Sequence, residues 1–180
     1  MVSATESSDG LRIRPARKSD LGILVDFMAR LAMHVAGGAP RTLRRAERKR
    51  LRELLAAALE DQDRLVVVAA LPEVGPVGMS YIYVWRSQGI WEQLDDLELK
   101  SGVIDDVWVE PDYRKLGIFR AMLAELLAFA EQHDVQELIL EYSLSNREAE
   151  ATWSRLGFQP TGVRAAAFTA NVRKALSAGQ

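Results

Sequence analysis

The sequence predicts a mixed α/β (α+β) domain, one central mixed sheet with helices on both faces. Three observations predict it. Stretches of two-residue period alternate with stretches of helical period along the 180 residues. In the middle of the chain, strand-like runs follow one another with only a turn or a loop between them, which calls for antiparallel pairing. Further on, an amphipathic helix at residues 118–134 lies between two strand-like runs, and that crossover calls for parallel pairing. The expected order is β-α-α-β-β-β-α-β-α-β with a further strand at the end, giving six to seven strands.

Each element has its own signal. Residues 1–10 are small and polar and read as a disordered tail, leaving 11–176 as a single domain. Leu11, Ile13 and Pro15 alternate with Arg12 and Arg14, an edge strand closed by proline. Ser19 is the expected cap of a helix whose Leu21, Leu24, Val25, Met28 and Leu31 share one face. Gly37, Gly38 and Pro40 break it, and Thr42 is the expected cap of the next helix, which carries Leu51, Leu54, Leu55 and Ala58. A β-branched run at 64–71 reads as a buried strand, and 77–85 returns as its hairpin partner. Residues 86–101 have no clear period and read as an acidic loop, 102–109 as a strand stopped by Pro111. Ile118, Phe119, Met122, Leu123, Leu126 and Ala130 mark the long helix. A strand is expected at 137–143, a helix at 146–156 ended by Gly157, and strand again from 158 to 172.

Composition narrows the function. Hydrophobic residues make up 48% and charged residues 27%, and the net charge is -2. There is no cysteine, which excludes a disulfide scaffold, a thiolate metal site and a cysteine nucleophile. No metal site is expected. The opening residues show no basic region followed by an apolar one, and no apolar run is long enough for a membrane span, so a cytoplasmic domain with no membrane partner is expected. Charge is unevenly spread: Arg41, Arg44, Arg45, Arg48, Lys49, Arg50 and Arg52 are opposed only by Glu47. Glu92, Asp95, Asp96, Glu98, Asp105, Asp106, Glu110 and Asp112 face only Lys100. The acidic segment suits the steering of a cationic substrate; both runs also read as solvated faces. A nucleic-acid-binding role for the basic run ranks last, since the net charge is negative and aromatic residues are not interleaved with it. No nucleic-acid partner is expected.

The informative stretch runs from Val107 to Arg120. A strand stops at Pro111, a turn carries Arg114 and Lys115, and Gly117 stands at the entrance to the long helix. The free peptide N–H groups of a first helical turn and the positive end of its dipole form an anion pocket. Gly117 lets a phosphate approach the main chain, and Arg114, Lys115 and Arg120 add charge. Alternatively, Gly117 only relieves crowding where helix meets sheet.

Arg114-x-x-Gly117-x-Phe119, preceded by Val109-Glu110-Pro111, resembles the acyl-CoA signature of the GNAT N-acetyltransferase superfamily. Asn146-x-x-Ala149, Trp153 and Leu156-Gly157-Phe158 are similar to that family's next motif, in the right order and with a helix and a strand between. The likeness extends over residues 11–172 in organisation and 104–158 in motif detail. It implies a GNAT fold and an acetyl-CoA-dependent N-acetyltransferase, with acetyl-CoA as acyl donor. The CoA diphosphate would rest on the amides of Lys115, Leu116, Gly117, Ile118, Phe119 and Arg120, beside Arg114. The pantetheine arm would lie between two splayed strands and pair with the main chain of Val107, Trp108 and Val109, with Asn146 and Trp153 beside it. Two positions depart from the family pattern. Phe119 replaces a small residue and must turn its ring into the helix–sheet interface. Trp153 replaces the tyrosine that usually protonates the departing thiolate, and an indole N–H is no practical acid. Tyr142 and Ser143 are the nearby substitutes, with water a third.

The acceptor amine must be neutral to attack. A lysine-like amine with a pKa of about 10.4 pays roughly 4.6 kcal/mol for that at pH 7. Asp105 and Asp106 lie opposite the expected thioester, and only one can face the cleft. If Val107 and Val109 pack under the long helix, the cleft-facing residue is Asp106, acting as base with the help of burial or a water chain. Tyr81, Tyr83 and Trp85 share one strand face and suit a core, a homodimer surface or a substrate wall. His34 stands near the expected acceptor side, and His133 reads as structural. The expected acceptor is a primary amine of a small cationic molecule, a peptide or a protein. The other reading is a non-catalytic CoA-binding sensor or interaction module of the same fold, which Trp153 favours.

Overall fold

The computed structural model describes residues 10–37, 42–86, 100–162 and 165–178. The chain divides into two compact units, Met1–Glu141 and Tyr142–Gln180. The first holds β1 (Arg12–Pro15), α1 (Leu21–Val35), α2 (Arg45–Ala58), β2 (Arg64–Leu71), β3 (Gly75–Arg86), β4 (Lys100–Val109), α3 (Ile118–Gln132) and β5 (Glu137–Leu140). The second holds α4 (Arg147–Arg155) and α5 (Thr169–Ala178). The expected tail, the acidic segment at 87–99 and the breaker at 38–41 lie outside the described residues.

Among the described residues the sheet has five strands in the order β1-β2-β3-β4-β5. The first three pairings are antiparallel and the last is parallel. The mixed sheet is as predicted, with fewer strands. Residues 158–162 and 165–168 are not strand, and α5 takes the place of the expected last strand. Pro160 and Gly162 interrupt any ladder there, and Ala165, Ala166, Ala167 and Ala170 favour helix.

β2 is an interior strand between β1 and β3, and Leu65 through Ala69 are buried on both sides. Val66, Val68, Met79 and Trp108 face α1 and α2, where Leu21, Leu24, Val25, Phe27, Leu55 and Ala58 complete the core. Phe27 and Leu24 are fully buried, each stabilising the fold by about 1.5–3 kcal/mol. The opposite face is covered by Ile118, Met122, Leu126 and Phe129 of α3.

The helix starts differ from the expected caps. Ser19 falls within a turn of 3-10 helix, Lys18–Asp20, and Asp20 is the cap residue of α1. Its buried carboxylate accepts from Arg14 at 2.7 and 2.9 Å and from the Arg17 N–H at 2.7 Å. α2 begins after Arg44 rather than Thr42, and Glu47 accepts from the Arg44 N–H at 2.8 Å. β5 ends at Leu140, short of the expected 143.

Candidate active site

The site is built on β4. Tyr81 pairs with Asp106, but Ile82 pairs with Ile104, so Asp105 is an extra residue, a β-bulge. On the other side, β5 follows β4 only from Ser101 opposite Glu137 to Ile104 opposite Leu140. β5 ends at Leu140, opposite Ile104, so residues 105–109 of β4 have no β5 partner. Main-chain groups alternate sides along a paired strand. The Glu110 N–H bonds Val77 O at 2.9 Å, toward β3, which turns the main chain of Trp108 the same way. The main-chain groups of Val107 and Val109 therefore face the open edge, where Arg114 Nε donates to Val109 O at 3.1 Å.

A turn of 3-10 helix, Pro111–Tyr113, leads from β4 toward α3. Lys115 and Gly117 both adopt the left-handed conformation, with φ of 64° and 81°. A side chain built at Gly117 would meet nothing within 4 Å. Gly117 thus relieves no crowding; open space lies before it. The first hydrogen bond into α3 is Ala121 N–H to Gly117 O at 3.0 Å. Among the described residues no backbone bond engages the N–H groups of Lys115, Leu116, Gly117, Ile118 or Arg120. Such a set of amides without backbone partners at a helix start fits a phosphate group. Ile118 is anchored in the core at 2% exposure, Phe119 is half-buried, and Lys115, Leu116 and Arg120 are exposed. Arg114 is not a free cation in this turn: its guanidinium lies 5.1 Å from the Trp108 ring centre.

The bulge gathers polar groups on the sheet face that carries α1. Trp108 packs in the core between sheet, α1 and α2, so Val107 and Val109 point to the α3 side and Asp106 to the side of Trp108. Burial, and secondly the charge of Asp105, push the Asp106 carboxyl up to about 7. Burial also raises Asp105, with a further contribution from Glu141. Burial raises the Tyr81 phenol as well, against the opposing pull of Arg64, whose Nη1 donates to its hydroxyl at 2.9 Å. His34 at the end of α1 meets the Trp108 ring edge-on at 5.9 Å between centres. Trp108 Nε1 is buried and has no hydrogen-bond partner among the described residues. Arg30 of α1 pairs with Glu110.

In the second unit, Asn146 caps α4: its Oδ1 accepts from Ala149 N–H at 3.0 Å. Trp153 is buried and meets Phe158 edge-on at 5.2 Å. Tyr142 is half-buried, and the Ser143 hydroxyl bonds that of Ser145 at 2.8 Å in the turn before α4.

Within the first unit the geometry brings together Asp106, Trp108, the open edge of β4 and the amides at the start of α3. Sequence reasoning missed Glu141. Its signal is register: it follows Leu140, the partner of Ile104, and so stands beside Asp105. His133 is structural, its two ring nitrogens lying 2.8 Å from Phe129 O and 2.9 Å from Gln62 O.

The chain belongs to the acetyltransferase (GNAT) family, which residues 35–158 match. It is similar to ribosomal protein bS18-alanine N-acetyltransferase of Escherichia coli K12, 35% identical over 66 residues, 37% of this chain and 45% of that one. A Bacillus subtilis protein provisionally given the same name is 28% identical over 88 residues, 49% of this chain and 55% of that one. The chain thus spans about half the length of the curated relatives it matches. In fold it is similar to the aminoglycoside antibiotic 6'-N-acetyltransferase of Acinetobacter baumannii, with a TM-score of 0.69 at 18% identity over 89% of this chain and 97% of that one.

Proposed function

We propose that the protein is a cytoplasmic, acetyl-CoA-dependent N-acetyltransferase acting on a primary amine of a small cationic molecule, a peptide or a protein, with residues 11–176 as the working domain. One observation carries this reading: among the described residues, peptide N–H groups with no backbone partner surround a left-handed Gly117 with open space before it, next to a strand edge beyond the end of β5. The residues fit the donor. The amides from Lys115 to Arg120 would hold the diphosphate, and the main chain of Val107 and Val109 would take the amides of the arm. The donor supplies an activated acetyl thioester.

The chain supplies the proton chemistry. A carboxylate that titrates near 7 accepts a proton from an ammonium far better than one near 4, so Asp106 is the base. The acceptor ammonium is held by the negative charge gathered at Asp105, Asp106 and Glu141. The proposal gives Tyr142 the proton-donor role and Asn146 and Trp153 contacts to the coenzyme arm. The names of the curated relatives favour a protein amine among the acceptors.

Calorimetry with acetyl-CoA, followed by thiol release across a panel of amines and peptide N-termini, tests the reading. Binding with release supports it, and no heat with acetyl-CoA overturns it. Burial of Trp153 against Phe158, where an acid is expected, supports the sensor as a second reading. Binding without release from any amine decides for the sensor.

A further inference from the structure

The proposed reaction leaves one polar group beside its base without a role. Tyr81 lies opposite Asp106, and its ring packs against the core that holds Met79 and Trp108, so the two side chains share a sheet face. Arg64, at the start of β2, holds the phenol in place. Its Nη1 donates to the Tyr81 oxygen at 2.9 Å and its Nε to Asp61 at 2.8 Å, and the guanidinium lies 5.9 Å from the Tyr83 ring centre. The rings of Tyr81 and Tyr83 stand 5.8 Å apart. A guanidinium only donates, so the phenol hydrogen does not point at Arg64. Among the described residues nothing accepts it. Asp105 and Asp106 in turn have no donor there: burial and neighbouring charge act on them, and no hydrogen bond does. The charge of Asp105 reaches the phenol. An unspent donor and two carboxyl groups without donors therefore meet at the bulge.

We propose that Tyr81, steadied by Arg64, is a positioning residue for the base: its hydroxyl donates to the Asp105–Asp106 carboxyl pair, directly or across one water, once the pair is ionised. The role rests on the acetyltransferase reading; the hydrogen bond does not. A hydrogen bond to a carboxylate favours its charged form. Donation from Arg64 to the same oxygen polarises the O–H and strengthens the bond. Burial and the charge of Asp105 push the Asp106 carboxyl up to about 7, and the phenol opposes a further rise. The other titratable groups on this side are Tyr83 beside Tyr81, Glu141 next to Asp105, Arg30 of α1 on Glu110, Asp26 of α1 on Arg48 of α2, and His34 of α1 against Trp108. None of them offers the pair a hydrogen bond among the described residues.

Thermal melts of the full chain from pH 6 to 9 test the bond without any ligand. The folded Asp106 holds its proton up to about 7, so the wild-type Tm falls as pH rises to that point and then levels. In Y81F the carboxyl is expected to titrate about one unit higher, the worth of one hydrogen bond to a charged group, so the fall continues to about pH 8. In D106N the further change Y81F is expected to leave the pH course as it was. R64A shifts the course as Y81F does, R64K recovers at least half of the shift, and Y83F has none. Thiol release with acetyl-CoA and alaninamide tests the role. The kcat of Y81F relative to wild type should be down about eightfold at pH 6.5 and within twofold at pH 9, with KM unchanged. A melt course unmoved in Y81F, a shift that persists in D106N, or an equal loss of kcat at every pH overturns the proposal. The expected melts without thiol release from any amine support the bond and count against acetyl transfer alone, so the two failures are distinguishable.

Discussion

Tyr81 stands directly opposite Asp106, at the last paired position before the β3–β4 register slips by one residue. The slip sends Ile104 to the α3 side and Asp106 to the side of Trp108. The base of the proposed reaction and the break in the ladder are therefore one feature.

Asp106→Asn is expected to lower turnover at least a hundredfold while leaving acetyl-CoA affinity within twofold, as steady-state thiol release and calorimetry will read. Wild-type turnover should rise with pH through about 7, as the carboxyl ionises. The stability effect has the opposite sign. The folded carboxyl holds its proton up to about 7 and the unfolded one only to about 4, so stability falls as pH rises between them. Above 7 the penalty is on the order of 2 to 4 kcal/mol, allowing for partial solvent screening. D106N should thus raise the Tm at pH 8 and not at pH 4.

Gly117→Val is expected to weaken acetyl-CoA at least tenfold. The left-handed backbone costs about 1–2 kcal/mol for a residue with a side chain, and the new group fills the space before the amides. Calorimetry and a thermal melt separate the two effects; full affinity in a folded variant would remove Gly117 from the site.

Two glycines give a contrast in packing. A side chain at Gly78 would stand 2.9 Å from Trp108 O, a main-chain atom that cannot yield, and Gly78→Ala should cost about 1–3 kcal/mol. Gly22 in α1 has no neighbour within 4 Å, and Gly22→Ala should gain about 0.5–1 kcal/mol. Chemical denaturation of both variants checks the difference.

Arg14→Ala should cost about 2–4 kcal/mol, since it leaves the buried Asp20 carboxylate without its two-pronged partner. The Arg14 bond holds that carboxyl below its usual range, so its stabilisation is present above about pH 4 and lost as pH falls further. The deficit of the variant, measured by urea unfolding, should shrink on acidification.

Much of the fold was legible because burial leaves marks in sequence. The Val66-Val67-Val68 run placed β2 at its observed bounds, since a central strand is apolar on both faces. The period of Ile118, Met122, Leu126 and Ala130 placed α3. The end of the chain was misread because α5 has no buried face: Phe168 before it is 81% exposed and Leu176 within it 73%, so its apolar spacing mimicked alternation. At the site, the left-handed turn at Gly117 and the placing of Asp106 on the face of Trp108 were legible from motif and alternation. The position of Glu141 beside Asp105 was not, because the register of a parallel pair is set by packing between strands distant in sequence. Arg114 looked like a phosphate cation, and only geometry shows it on Val109 O and the Trp108 ring.

The early end of β5 has a practical cost. Strand edges without a paired strand recruit other strands, and residues 105–109, unpaired on that side among the described strands, offer such a template where Arg114 does not already cap it. Protein stripped of small molecules should clump on shaking sooner than protein stored with coenzyme A, so shelf life would report on the same five residues as the proposed coenzyme site.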